Sequence, residues 1–442
     1  MFNRVLIANR GEIAIRVIRA CQELGIETVA VYSDVDAHSL HVQLADYAYN
    51  IGPADAALSY YNAEAIISAA KMAKADAIHP GYGFLSENAD FAQMVIDAGM
   101  IFVGPHPETI RKVGNKDAAR LAMKQAGLPM TVGSEIVRET EDAYVQAEAI
   151  GYPVILKPVA GGGGKSMFVA HNKEEMTSAL NKVDLKSRDF YLENYIDQAR
   201  HIEVQIMADN YGNILHLGER ECSLQRRNQK ILEEAPSSAL TPEMRHKVGQ
   251  LAIRAAKSIY YTNVGTVEFL MDIKTGRFYF MEINPRIQVE HAVTEMITGV
   301  DLVRRQLRIA AGEPLNKKQD EIMFLGHAIE CRINAEDPDM RFIPCPGHID
   351  FYHQPGGPRV RVDSGVSAGV TVQPYYDSMI AKVVAHGRTR GDAIRIMRRA
   401  LAEFRIGGIK TTIPFHQKVL NNPHFCSGDF DTQFIYKRMT PC

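Results

Sequence analysis

Residues 265–291 read GTVEFLMDIKTGRFYFMEINPRIQVEH, two alternating segments around Lys274-Thr275-Gly276. A hairpin centred on Thr275 places Glu268 directly opposite Glu282, with Cβ atoms ~5 Å apart. Like charges so placed repel unless something neutralises them. Asn284, two residues beyond Glu282, projects from the same face. Two carboxylates and an amide oxygen form a hard, all-oxygen donor set suited to Mg²⁺, with bound phosphates completing the shell. The alternation continues: Glu282, Asn284, Arg286, Gln288 and Glu290 share one parity, while Ile283, Pro285, Ile287 and Val289 take the other. One ledge thus carries candidate metal ligands, a cation, an amide and a further carboxylate. Fully extended, Glu282 to Glu290 would span ~26 Å, so the chain must bend to gather them. Pro285, which removes a ladder hydrogen bond, is the place.

A second candidate is the run Gly161-Gly162-Gly163-Gly164-Lys165-Ser166. A phosphate-binding P-loop, G-x-x-x-x-G-K-[ST], needs its first glycine at position 159, which is Val, and must open a helix. Met167-Phe168-Val169-Ala170 reads as a strand instead. The run is therefore expected to join two strands, Val154–Lys157 and Met167–Ala170, with backbone N–H groups able to close over phosphates.

These residues need a scaffold, and 442 residues call for two or three domains. Short apolar runs at Val5–Ala8, Thr28–Tyr32, Ala77–His79 and Ile101–Val103 read as buried parallel strands. Ile13, Ala14, Val17, Ile18 and Cys21 recur at helical spacing between the first two, and Asn62 can cap a helix carrying Ile66 and Ile67. Such βα units imply a doubly wound sheet. The first crossover reads Asn9-Arg10-Gly11-Glu12, not G-x-G-x-x-G, which disfavours a dinucleotide. A helical stretch over roughly 107–127 follows, then a small strand-rich, glycine-rich segment to about Ile206. The remainder mixes strands (265–272, 277–283) with helices (301–311, 392–404).

The formal net charge of −2 supplies no field for nucleic acid or an anionic membrane, and no apolar stretch approaches a membrane span. Arg304, Arg305 and Arg308 read as a solvated helix face. The six cysteines are far apart and Met1–Arg4 runs straight into a strand, so a cytoplasmic protein is expected.

Taken in order, a set of motifs resembles the biotin carboxylase family of ATP-grasp enzymes over essentially the whole chain. They are ANRGEIAIR (8–16), HPGYGFLSENA (79–89), GNK (114–116), the glycine run, HIEVQ (201–205), QRRNQKILEEAP (225–236), EINPRIQVEH (282–291), ECRINAEDP (330–338) and YYDSMIAKV (375–383). The resemblance implies an α/β, ATP-grasp architecture: an N-terminal doubly wound parallel-sheet domain with linker helices (1–128), a small glycine-rich lid (129–206), and a larger α+β body with the C-terminal domain (207–442). The implied activity is carboxylation of biotin by MgATP and bicarbonate, through carboxyphosphate. The chain carries no biotin-accepting Met-Lys-Met segment, so biotin is expected on a separate biotin carboxyl carrier protein, with a carboxyltransferase as a further partner and a homodimer as the family's habit.

The resemblance also implies sites. Lys116 and Lys157 match phosphate-contacting lysines, and Gly163 and Gly164 the loop that covers the phosphates. Glu193, Asn194, Tyr195 and Ile196 match the hinge strand that hydrogen-bonds adenine. His201, Gln225 and Asn228 fall at nucleotide contacts, and Leu270 packs under the base. Glu268, Glu282 and Asn284 match ligands of Mg²⁺ or Mn²⁺, in agreement with the hairpin argument. Lys230, Arg286, Gln288, Val289 and Glu290 match the bicarbonate site, and Tyr82, Gly83 and Arg332 border biotin. Catalysis falls to Glu290 as general base, Arg286 and Lys230 as bicarbonate holders, and Arg332 on the enolate-like oxygen of biotin.

Three departures touch the nucleotide side: Asn228 where the family usually has His, Asn194 where it has Lys, and Lys165-Ser166 where it has Arg-Gly. Pro285 resembles the pyruvate carboxylase version of the motif, where acetyl-CoA carboxylase subunits usually have Thr. Two alternatives stay open: another ATP-grasp ligase that makes an acyl phosphate, such as a carbamoyl-phosphate-synthetase-like enzyme, and a non-catalytic, nucleotide-binding paralogue.

Overall fold

The computed structural model describes residues 1–159, 167–185 and 187–439. The first hundred residues form a five-stranded sheet in the order Tyr47–Asn50, Glu27–Tyr32, Arg4–Ile7, Ala77–His79, Ile101–Phe102. Every pair is parallel. Val5, Leu6, Ile7, Val29 and Ile78 are fully buried, as a sheet covered on both faces requires. The strand order reverses between Arg4–Ile7 and Ala77–His79, the switch point where open α/β sheets leave a crevice. The loops after those two strands meet there: the Asn9 amide donates to the carbonyls of Pro80 and Tyr82 at 2.8 and 2.7 Å. The Asn62 side chain caps the helix Ala63–Met72. The helical stretch expected over 107–127 is two helices, Pro107–Gly114 and Lys116–Gln125, broken at Asn115, whose side chain caps the second.

A small antiparallel sheet follows, in the order Gly133–Val137, Phe190–Asn194, Val154–Pro158, Phe168–Ala170. Its core is its own: Val137, Ala147, Leu156, Met176 and Leu192 pack under two helices. Residues 160–166, and with them Gly163, Gly164 and Lys165-Ser166, lie outside the described residues. The small sheet ends at Asn194. The next strand, Ala199–Ala208, pairs along its whole length with Asn263–Asp272, so a segment running to 206 ends inside the larger sheet.

That larger sheet has eight antiparallel strands in the order Phe278–Asn284, Asn263–Asp272, Ala199–Ala208, Ile214–Arg226, Gln229–Ala235, His327–Asn334, Met379–Gly387, Val360–Ser364. On one face Ile202, Val204 and Phe269 pack on Leu251, Ala252 and Ala255 of the helix Pro242–Ser258. Further along, Ile329, Cys331 and Val383 pack on Ala393, Met397 and Leu401 of the helix Arg390–Glu403. The other face packs Ala235, Ala328 and Val384 under Ala292, Val293 and Ile297 of the helix His291–Thr298, and beyond them borders the cleft. Arg304, Arg305 and Arg308, expected in solvent, are half-buried and line a recess of ≈170 Å³ with Lys317, because Arg304 and Arg308 fold back toward Glu23 and Glu313. Among the described residues, no helix is long and apolar enough to cross a membrane.

Candidate active site

The hairpin does oppose Glu268 to Glu282, by a route the sequence does not announce. The loop Ile273–Gly276 closes on Asp272, whose N–H donates to the Arg277 carbonyl at 2.9 Å. The turn is thus one residue out of phase with a centre at Thr275: Met271 pairs Phe278 and Phe269 pairs Phe280. Continued unbroken, this register would set Glu268 against Met281 and turn Glu282 to the far face. A β-bulge at Met281 absorbs one residue and restores the pairing, so that Phe280 and Ile283 both stay in the core while Glu282 turns to the cleft. The strand ends at Asn284, and the chain bends at Pro285-Arg286, as the ledge requires.

Strand register extends the pair into a row. Glu282, Glu268, Glu203 and Arg220 stand opposite one another across four strands. Glu233 faces Glu330, and Arg332, Lys382 and Asp363 face one another across three. A second bulge, at Ile231, lets Lys230 join the same face as Glu233. Arg220 is fully buried and bonds Glu203, Gln205, Thr294 and Thr266. Lys230 Nζ donates to Glu290 Oε1 at 2.7 Å and Glu268 Oε1 at 3.1 Å, and also to Glu203. Arg332 donates to Glu233 at 2.6 Å and to Glu290 Oε2 at 2.8 Å. Burial opposes the charge on Glu290, but Lys230, Arg332 and Arg220 outweigh it and hold the carboxyl well below its usual range.

Glu268 accepts four bonds: from His201 Nε2 at 2.7 Å, Asn284 at 2.8 Å, Gln288 at 2.9 Å and Lys230. The Gln225 amide donates to His201 Nδ1 at 2.6 Å, which leaves Nε2–H for Glu268. Glu282 opens to the cleft, and there burial, followed by the charge of Glu268, raises its pKa. Donor atoms of His201, Glu203 and Glu268 lie within 4.8 Å of one another, as do those of Glu203, Cys222 and Glu290. Arg220, Lys230 and Arg332 already neutralise both groups.

His201, Lys230, Glu268, Glu282, Asn284, Glu290 and Arg332 line one cleft of ≈1460 Å³. Lys116, Lys157, Glu193, Asn194, Tyr195, Ile196, His201, Gln225, Asn228 and Leu270 line it, as do Arg286, Gln288, Val289, Tyr82 and Gly83. Lys157 is paired with Glu193 at 2.7 Å, and Arg120 holds the other oxygen at 2.5 Å. Leu270 stands opposite His201 on the floor. Arg286 donates to Gln288 at 2.6 Å and pairs with Glu87 at 2.9 Å. Glu12, which accepts from the Tyr82 hydroxyl, also lines the cleft, and Glu203, Arg220, Glu233, Glu330 and Lys382 are buried in the sheet behind it. Glu203 shares parity with His201 and Gln205 within HIEVQ, and Lys382 interrupts an apolar strand; both signals are present in the sequence.

Three family models cover nearly the whole chain: the biotin carboxylase N-terminal domain over 1–110, the ATP-binding domain of the carbamoyl-phosphate synthase L chain over 115–318, and the biotin carboxylase C-terminal domain over 330–437. The chain is 54% identical to biotin carboxylase 1 of Bacillus subtilis, with 98% of each covered. It is 50% identical to the small subunit of 2-oxoglutarate carboxylase from Hydrogenobacter thermophilus, over 98% of this chain and 93% of that one. The crystal structure of the biotin carboxylase domain dimer of that 2-oxoglutarate carboxylase, bound to MgADP, ADP and bicarbonate, superposes with a TM-score of 0.93 at 49% identity, covering 99% and 98% of the two chains. Parallel sheet, small lid-like sheet and charged antiparallel sheet are thus the ATP-grasp arrangement, and the chain belongs to the biotin carboxylase family.

Proposed function

We propose that this chain uses MgATP and bicarbonate to carboxylate biotin, with the cleft residues in the following roles. Lys230 and Arg286 hold bicarbonate. Glu290 takes its proton as the oxygen attacks the γ-phosphorus of ATP and ADP leaves, giving carboxyphosphate. Carboxyphosphate then breaks into CO₂ and phosphate. The phosphate removes the ureido N–H proton of biotin, Arg332 stabilises the enolate-like oxygen, and the nitrogen attacks CO₂. The observation that carries this reading is Glu290, clamped between Lys230 and Arg332 beside the Glu268–Glu282 pair. Held so far below its usual range, Glu290 is a weak base; an anion that draws Lys230 and Arg332 toward itself restores its basicity.

Glu268, Glu282 and Asn284 would hold Mg²⁺ or Mn²⁺: opposed carboxylates and an amide oxygen are hard donors, and the repulsion between two facing carboxylates is one that a dication relieves. When bound, the ion neutralises charge on the transferring phosphoryl group. On the nucleotide side we place Lys116 and Lys157 at the phosphates, His201, Gln225, Asn228 and the 193–196 strand at the base and ribose, and Leu270 under the adenine. Tyr82 and Gly83 border biotin.

Biotin arrives on a biotin carboxyl carrier protein, and a carboxyltransferase passes the carboxyl on. Relatives named as subunits of pyruvate and 2-oxoglutarate carboxylases, and the dimer of the latter's biotin carboxylase domain, support a homodimer within such an assembly. Cys21, Cys222, Cys331, Cys345 and Cys426 are free thiols, which fits the cytoplasm.

Purified protein given MgATP and bicarbonate should release phosphate, faster when free biotin is added. Bicarbonate-dependent release without biotin stimulation would favour another ligase, and nucleotide binding without any release the non-catalytic paralogue. Glu290→Gln should lower kcat by ~10²–10⁴ with the Mg²⁺ requirement unchanged. Glu282→Gln should raise the Mg²⁺ concentration needed. The same metal defect in both would dissolve the division of the ledge.

A further inference from the structure

Lys382 interrupts the apolar run of the strand MIAKVVAHG (Met379–Gly387) and is 0% exposed. Its neighbour across the sheet is Arg332, a second cation on the same face. Burying an ammonium costs several kcal/mol unless it is paired closely, yet no carboxylate closes on it. Glu12, Glu330 and Asp363 stand off at 3.8, 3.8 and 3.9 Å. The ammonium donates instead to a neutral group, the carbonyl of Val289. Burial alone would discharge Lys382, but the three carboxylates outweigh it and keep the pKa above the ordinary value.

The Val289 carbonyl and the Glu290 N–H belong to one rigid peptide plane. Glu290 is also the residue from which the helix His291–Thr298 starts. Whatever fixes that plane fixes the base of the Glu290 side chain. On its other side the ammonium faces Glu12, at the start of the helix Gly11–Glu23, and Glu12 accepts the Tyr82 hydroxyl from the loop of the parallel sheet. One buried cation therefore touches the ledge directly and the loop of Tyr82 through a single carboxylate.

We propose that Lys382 is a positioning residue that aims Glu290 through the Val289 carbonyl and, through Glu12, makes that aim respond to the state of Tyr82 in the biotin pocket. This rests on the placement of bicarbonate at Glu290 and of biotin at Tyr82. Lys382 touches neither substrate. Its consequence is coupling: phosphate release accelerates when biotin enters because the Tyr82–Glu12–Lys382 chain settles the carboxylate in its working position.

The test uses the full chain with free biotin. Lys382→Met should raise the KM for bicarbonate by roughly tenfold, because the Val289–Glu290 peptide plane loses the charge-assisted bond that fixes it, while the KM for ATP stays within about twofold. The ratio of biotin-stimulated to basal phosphate release should fall toward one, and Lys382→Arg should restore part of both. A merely structural lysine would instead lower the thermal midpoint and the active fraction, with both KM values and the ratio unchanged in the molecules that fold. Should Lys382→Met not fold, Glu12→Gln interrupts the same chain isosterically and should also lower the stimulation ratio. A wild-type ratio and bicarbonate KM in folded Lys382→Met, or in Glu12→Gln where the methionine variant fails to fold, overturns the proposal. Glu290→Gln separates the two levels: if it keeps wild-type kcat, the ledge assignment itself is wrong, and if only Glu290→Gln is impaired, Lys382 alone loses its role.

Discussion

One face of the eight-stranded sheet packs Ile202, Val204, Phe269, Ile329 and Val383 under helices; the opposite face carries Glu268, Glu203, Arg220, Arg332 and Lys382. Both sets are buried to a few per cent or less, apart from Arg332 at the cleft. The apolar face gains free energy from removing hydrocarbon from water. The charged row has no such source, because the desolvation of paired ions roughly cancels their attraction. A protein that needed only stability would have two apolar faces. On the proposed function, the second face is explained by the phosphate, bicarbonate and metal chemistry it would border.

This contrast can be broken. Arg220→Met leaves Glu203 buried with Lys230 as its remaining cation, and should cost ~3–5 kcal/mol of stability. Adding Glu203→Leu removes the stranded charge, and the double variant should recover at least half of the loss by denaturant melting. The double variant should nevertheless stay below wild type in biotin-dependent phosphate release, because Lys230 loses Glu203. A double variant no more stable than Arg220→Met would mean that the ion pair holds the sheet together, and the two faces would then differ in chemistry but not in purpose.

A pH titration sharpens it on two consecutive residues. Glu233 points to the cleft face toward Arg332, Glu330, Glu290 and Lys230; Glu234 points away, to His327 at 2.9 Å and Arg390 at 2.7 Å. Burial pushes Glu233 up to about 7 from an ordinary value of 4.5, despite Arg332. Burial acts on Glu234 too, but His327 and Arg390 outweigh it and bring the group down to about 2. The folded state therefore binds the Glu233 proton more tightly than the unfolded chain does. The stability this supplies is complete below 4.5 and is lost as pH rises through about 7. Glu234 does the reverse: its contribution is present above 4.5 and is lost as pH falls toward 2. Against wild type, Glu233→Gln should gain in thermal midpoint as pH rises from about 5 to about 8. The gain is bounded by ~1.4 kcal/mol for each pH step between the unfolded and folded titrations of the carboxyl. The deficit of Glu234→Gln at neutral pH should close on acidification. Parallel curves for the two variants would remove the asymmetry between the faces.

Much of the scaffold is legible in the sequence because buried strands and their turns leave local marks. The four parallel strands expected in the first hundred residues, the Asn62 cap and the bend after Asn284 are of this kind. The Glu268–Glu282 pair was legible in outcome but not in cause. A turn centred on Thr275 would give it directly, whereas the chain turns out of phase and corrects at Met281, a bulge with no glycine or proline to betray it. The helical stretch expected over 107–127 is helical, but it divides at an asparagine whose capping role competes with a place inside a continuous helix. The charged row was not legible. Glu203, Arg220, Glu330 and Lys382 can each be seen as polar intrusions into strands, but contacts such as Lys382 to Val289 cross 93 residues of sequence and exist only once eight strands are in register.

The smallest expected effect lies at the rim of the charged face. Arg227 and Asn228 form the two-residue turn between Ile214–Arg226 and Gln229–Ala235, with φ of +49° and +64°. Positive φ at both positions is the type I′ pattern, in which asparagine is among the favoured residues. Asn228 thus has a backbone reason to stand where the family resemblance leads one to expect histidine, and histidine is also among the residues enriched in the left-handed region. Substituting it should leave the turn intact and change mainly the reach of the side chain into the cleft that Asn228 lines. A hydrogen bond between neutral groups contributes ~0.5–1.5 kcal/mol, so Asn228→His should lower the KM for ATP by roughly threefold to tenfold with kcat nearly unchanged. Initial-rate kinetics on the two proteins decide it. An unchanged KM would mean that the amide already makes the contact, and activity appearing only in the histidine variant would mean that the natural chain binds nucleotide without turning it over. A fall in kcat alone would place residue 228 among the groups that act on the transition state rather than at the nucleotide's edge.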